Sequence, residues 1–226
     1  ALSNIGFILC GIFMVWILSR EEVTGQNFFI GLTSISTLYA SASIFLGPGS
    51  MMMHGAHTVW GAWIDNVSMV AYIIIPWLLN FKILNGWTEN QFLKAYFIIL
   101  FLFSFFSWFY GSELGIGFSL FGVSIGLWVI SEFLYNFYSN SMRFYSGFVG
   151  YLVLWIFGTS PYDVALNIQE FWWTLFFWLP GLIATQKPES KRKYNPWFFA
   201  GCFFYILAFT IWLQGNMMIN PDSEWC

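Results

Sequence analysis

Three side chains in this sequence have types and spacing that suit catalysis: Ser50, His54 and Asp65. Ser50 and His54 close the stretch Gly47-Pro48-Gly49-Ser50-Met51-Met52-Met53-His54, and Asp65 follows between Ile64 and Asn66. Residues four apart share a helix face, so Ser50 and His54 point the same way. Asp65 lies inside apolar sequence, where an ionised carboxylate costs several kcal/mol unless it has a partner. If its helix returns antiparallel to the first, a hydroxyl, an imidazole and a carboxylate converge. That set suits a metal-bound water with a base to take its proton. The plainer reading of Asp65 is a structural hydrogen bond to Ser68 or Asn66. His57, the other histidine, reads as an interfacial or supporting residue more than as a second ligand.

The elements that must position this trio read as membrane scaffold. Of 226 residues, 58% are hydrophobic, 23% aromatic and 8% charged, against about 25% charged in a soluble domain. The 28 Phe and 14 Trp fit lipid-facing surfaces and interfacial belts. A net charge of −3 with no basic stripe gives no sign of nucleic-acid binding. The three cysteines, Cys10, Cys202 and Cys226, form no disulfide framework. Residues 4–19 lack a basic leading segment and a small-residue cleavage site, so they read as a span rather than a signal peptide.

Apolar runs of crossing length, about 17 to 25 residues, predict an all-helical, multi-pass transmembrane bundle. They fall near 4–19, 28–53, 58–81, 92–110, 114–137, 144–158, 168–185 and 196–214, eight spans in one domain covering residues 1–226. Gly47-Pro48-Gly49 is expected to break or kink the second. The basic residues Arg20, Lys82, Lys94, Arg143, Lys187, Lys191, Arg192 and Lys193 fall only in connections after odd-numbered spans. The positive-inside rule then puts those connections in the cytoplasm and the N-terminus outside. Glu132 sits near enough to the inner end of span five to reach water. Ser50, His54 and Asp65 then lie near the outer surface.

With those residues in place, the sequence resembles the alkaline ceramidase family, part of a membrane-hydrolase superfamily that includes the adiponectin-receptor-like proteins. The resemblance is carried by Ser50-x-x-x-His54 with Asp65 eleven residues on, in a setting like the family's bacterial branch. Ala1-Leu2-Ser3-Asn4-Ile5-Gly6-Phe7 resembles the opening of the family's first helix. Asn220-Pro221-Asp222-Ser223-Glu224-Trp225-Cys226 looks like the stretch before its last. The resemblance implies a zinc-dependent amidase cutting a ceramide-like membrane lipid, in a bacterial inner membrane or an endomembrane. It makes His54 a Zn2+ ligand, Asp65 the base or water-orienting group, and Ser50 an oxyanion or supporting donor.

The sequence departs from that family in one respect. A catalytic zinc takes three protein ligands, and the family draws two from a His-x-x-x-His pair that is absent here. The expectation is a core fragment, with that pair beyond Cys226 and the acidic residues of a family Ca2+ site before Ala1. A seven-helix core is also expected, so eight spans imply an extra hairpin or a miscount between 114 and 214. A non-catalytic receptor-like or scaffold member of the superfamily is the alternative. More remote is an ion or proton transporter subunit using Asp65 and His54. Met51, Met52 and Met53 read as core or lipid contacts, and Trp60, Trp63, Trp172 and Trp173 as interfacial anchors. Gly115, Gly117, Gly122 and Gly126 suggest close helix packing, with Gly122-x-x-x-Gly126 a weak contact motif. Lys191-Arg192-Lys193 reads as a topology signal touching anionic headgroups.

Overall fold

The structure, a computed structural model, describes residues 4–23, 27–56, 58–114, 116–156, 158–189, 192, 194 and 196–216. His57, Gly115, Lys191, Lys193, the first three residues of the N-terminal motif and the whole motif at 220–226 lie outside them. The chain divides into two compact units, Ala1–Glu189 and Ser190–Cys226. Every regular element among the described residues is helical. In the second unit this is one helix, Pro196–Asn216, close to the run expected at 196–214.

Five long helices organise the first unit: α1 (Ile5–Leu18), α2 (Ser34–Ala56), α3 (Val59–Asn85), α4 (Glu89–Leu114) and α5 (Ile116–Phe137). α3 is the axis of the fold. It is apolar on nearly all sides, as a helix surrounded by others must be, and Ile74, Ile75, Leu78 and Leu84 are almost fully enclosed. Its core neighbours include Phe92, Tyr96 and Phe103 from α4 and Val123 and Leu127 from α5. Gly86 closes α3 in the left-handed conformation at φ 62°, which glycine adopts without the Cβ penalty.

α2 packs through small residues. Ala40, Ala42, Ser43, Gly47 and Gly49 are all buried, which lets neighbouring backbones approach closely. Gly47 faces the Asn4 carbonyl and Ile8 of α1, while Gly49 faces Ser68 of α3. The expected break at Gly47-Pro48-Gly49 does not occur. α2 runs through Pro48 without interruption, leaving the Ile44 carbonyl without its usual helical donor. Two glycines on different faces serve contact with two different helices, and that is why they bracket the proline.

The runs expected as single spans at 144–158 and 168–185 are instead broken. They comprise α6 (Asn140–Tyr145), α7 (Gly147–Ile156), α8 (Pro161–Leu166), a 3-10 segment (Trp172–Trp178) and α9 (Leu179–Ile183). Local sequence explains the turn between the two arms. Gly158 turns at φ 87°, Ser160 caps α8 by accepting from the Asp163 N–H at 3.1 Å, and Pro161 starts it. The two arms fold back on each other as a short helical hairpin. Phe177 is fully buried between Gly126 of α5 and Gly150 of α7, each too close to it to carry a side chain. Gly126 thus makes a close contact, but to Phe177, while Gly122 meets nothing within 4 Å. Trp173 packs inward against the core rather than anchoring at an interface.

Several cations gather at one end of this unit. Lys82 sits over the Phe28 ring at 4.1 Å, and Arg20 over Trp16 at 4.0 Å. The N–H groups of Thr185 and Gln186, just before Lys187, both donate to the Leu84 carbonyl at 3.0 and 2.8 Å. Arg143 donates to the Gly181 and Leu182 carbonyls at 3.0 and 3.2 Å. Among the described residues, two helices are long and apolar enough to cross a membrane, Val59–Asn85 and Glu89–Gly111, and Ile5–Leu18, Gly147–Ile156 and Trp172–Ile183 are shorter apolar segments.

Candidate functional site

The site is built at the turn between α2 and α3. α2 ends at Ala56 and α3 begins at Val59, so the two helices double back through a very short connection. Thr58 starts α3 from an extended conformation, and its hydroxyl accepts the Gly61 N–H at 3.0 Å, satisfying a donor that a helix start leaves free. Two glycines then hold the helices together. A Cβ at Gly61 would stand 2.6 Å from the Met52 carbonyl, and one at Gly49 would collide with Ser68. Ser50 and Asp65 lie at the level between these two contacts.

That register brings Ser50, His54 and Asp65 together. The Ser50 hydroxyl and the His54 ring both stand near enough to the Asp65 carboxyl to act on it electrostatically. Asp65 is 7% exposed, and its Oδ1 has no hydrogen-bond partner. A buried carboxylate oxygen left in this state is costly and calls for an occupant. Ser50 is half-buried and His54 exposed in the last turn of α2. The plainer reading of Asp65 fares poorly for Ser68. That hydroxyl donates to the main-chain carbonyl of Asp65, at 2.8 Å, and not to its carboxylate. Met52 and Met53 are exposed, as lipid contacts would be.

No family model, no curated protein and no solved structure matches the chain.

As donors for a metal, His54 and Asp65 fit part of a zinc site, one imidazole beside one buried carboxylate with an unused oxygen. Among the described residues no group of three or more His, Cys, Asp or Glu comes together. Three ligands is the usual protein set for a catalytic zinc, so His54 and Asp65 supply two donors at most.

Three further polar features are not evident from the sequence. Tyr39 of α2 and Tyr72 of α3 share a hydrogen bond of 2.5 Å between their hydroxyls, with their rings stacked. Asn80 of α3 is fully buried and donates to Ser131 and Glu132 of α5 at 3.0 and 2.9 Å. Glu132 is half-buried, which is compatible with the access to water expected from the sequence, and Asn80 is a partner the sequence did not reveal. Finally, Trp63 donates from Nε1 to the Ser104 carbonyl at 3.0 Å, at the edge of an aromatic cavity between α3 and α4. A polar residue in the middle of an apolar run, such as Asn80, is the signal available beforehand. The partner it finds depends on helix register.

Proposed function

We propose that this is a multi-pass membrane protein of the alkaline ceramidase type, with its N-terminus on the non-cytoplasmic side, that hydrolyses the amide bond of a ceramide-like lipid. The observation that carries the reading is Asp65, a buried carboxylate with an unpartnered oxygen, facing a serine hydroxyl and a histidine across a helix pair held by glycines. A site where a water must lose a proton beside an amide carbonyl needs those three groups.

In this reading His54 is a zinc ligand, with further donors from outside the described residues. Zinc supplies Lewis-acid polarisation of the carbonyl and a more acidic water. The chain's own residues do the rest. Asp65 takes the proton of the attacking water at its free oxygen and orients that water. Burial keeps competing solvent away from the carboxylate. Ser50, one helical turn before His54, donates a hydrogen bond to the oxygen that gains charge as the carbonyl is attacked. A fatty acid and a sphingoid base leave. Segregation of the basic residues at one end supports the orientation.

The transporter reading needs a second carboxylate facing Asp65. Glu132 is a second carboxylate within the bundle, but its partner Asn80 lies fifteen residues further along α3 than Asp65, about 22 Å at 1.5 Å per residue.

The test is fatty-acid release from a short-chain ceramide by the purified full-length protein in detergent, with metal content measured alongside. Asp65→Asn is expected to lose at least about a hundredfold in rate while remaining folded. His54→Ala is expected to lose zinc, and Ser50→Ala to keep it with reduced turnover. Full activity in Asp65→Asn overturns the assignment. Stoichiometric zinc with no turnover of any amide lipid replaces it with the non-catalytic scaffold reading.

A further inference from the structure

The face of α3 opposite Asp65 carries a separate cavity. Trp63 and Asp65 are two residues apart and so do not face the same way on a helix. The cavity, of about 280 Å³, is walled by Trp60 and Trp63 of α3 and by Phe105, Trp108 and Phe109 of α4. Trp63 and Trp108 meet nearly at right angles, 71° between planes at 5.2 Å between centroids, and form a corner. The bond from Trp63 Nε1 to the Ser104 carbonyl fixes that corner in place. Trp60 flanks it, 6.5 Å from Trp63.

We propose that this cavity binds the quaternary ammonium group of a choline-headgroup lipid. Aromatic faces carry negative quadrupole potential, and walls of several rings are the recurring way to hold a methylated ammonium. No charged side chain lines the cavity among the described residues. A primary ammonium keeps a tightly held water shell and needs several acceptors to replace it, whereas this lining offers Ser104 alone beside its aromatic rings. A trimethylammonium group sheds its water readily and needs only the ring faces.

The electrostatic surroundings agree. The cavity lies toward the last turns of α4, which ends at Leu114, where unpaired carbonyls concentrate negative potential. The connections on this side carry no Lys or Arg in the sequence. Lys82, Arg20 and Arg143 all hold to the opposite end through the contacts described above.

A lipid is the source, rather than free choline, because the cavity continues along an exposed apolar stripe. Phe101 and Phe97 follow Phe105 at four-residue intervals on α4 and are 66% and 56% exposed. A headgroup seated at Trp63 and Trp108 would lay its acyl chains down this stripe. The proposal shares the membrane reading with the proposed function but not the hydrolase.

The test uses the full-length protein in detergent, labelled with 5-fluorotryptophan and followed by fluorine NMR, with Trp63 assigned from its missing signal in Trp63→Phe and used as the reporter in every variant. It is titrated with dihexanoyl phosphatidylcholine, dihexanoyl phosphatidylethanolamine and choline chloride. The choline lipid is expected to bind about tenfold tighter than the ethanolamine lipid. The double variant Trp60→Leu/Trp108→Leu is expected to lose that preference, and Trp108→Phe to keep part of it. Both replaced residues are partly exposed, and the single variant Trp60→Leu stands in if the double one unfolds. Equal affinity for the two lipids overturns the proposal, as does a preference that survives removal of the indoles. Choline chloride binding as tightly as the lipid overturns the lipid source. Asp65→Asn must bind like the wild type, so failure of the hydrolase and failure of this cage are read from different proteins.

Discussion

Gly49 of α2 rests against Ser68 of α3 so closely that a single added carbon would run into both the Cβ and the hydroxyl of that serine. Ser50, the next residue, owes its place beside Asp65 to this contact. Gly49→Ala is expected to destabilise by about 1–3 kcal/mol through overpacking, read as a lower midpoint of thermal unfolding in detergent. Hydrolysis should fall further than stability explains, since the hydroxyl moves off the carboxylate. Gly6→Ala, where nothing lies within 4 Å of the added carbon, is the matched control and should leave both unchanged or slightly raise the midpoint. Equal effects of the two substitutions would refute the close-contact argument.

The Tyr39 and Tyr72 pair makes a different prediction. Each hydroxyl is satisfied by the other, so removing one leaves the second buried alone. Tyr39→Phe and Tyr72→Phe are each expected to cost about 1–3 kcal/mol. The double variant should cost clearly less than the two together, because no orphan remains. A double-mutant cycle on thermal or denaturant unfolding measures the difference. Strict additivity would mean that each hydroxyl has another partner.

Arg143 closes the base of the broken hairpin by donating to two successive carbonyls, Gly181 and Leu182. Gly181 touches the Arg143 carbonyl in return, with no space for a side chain. Arg143→Met should therefore expose the segment around Ala184 to proteolysis several times faster than the wild type, with little change in the α2–α3 pair. Arg143→Lys should not restore protection, since a single ammonium cannot reproduce the planar fork. Cleavage unchanged in Arg143→Met would show that Phe177, held between Gly126 and Gly150, secures the hairpin unaided.

Much of this was legible in the sequence because hydrophobic runs and local spacing carry it. The runs at 4–19, 58–81, 92–110 and 114–137 correspond to α1, α3, α4 and α5 within a few residues. The meeting of Ser50, His54 and Asp65 follows from an i, i+4 pair and a short turn, both local properties. What could not be read depends on who touches whom. Apolar composition cannot tell one span from two short arms, so 144–158 and 168–185 looked like crossings while Gly158, Ser160 and Pro161 cut them apart. Pro48 looked like a break because the glycines beside it resemble a turn. They are instead contact points for two helices, a role visible only once α1 and α3 are in place. The hydrogen bond to Glu132 from Asn80, fifty-two residues away, is a contact that helix register alone creates.

The short link from Ala56 to Val59 bears on how the protein is made. All three candidate catalytic residues belong to one helical hairpin, and none needs a contact from later in the chain to find the others. Such a hairpin closes a loop of very few residues, the least costly closure a chain can make, and contacts so near in sequence form early. The reactive centre can thus be in register while α5 is still emerging from the ribosome. Later helices then add to a trio already in register, and substitutions in α4 and α5 should tune its surroundings more than its internal geometry.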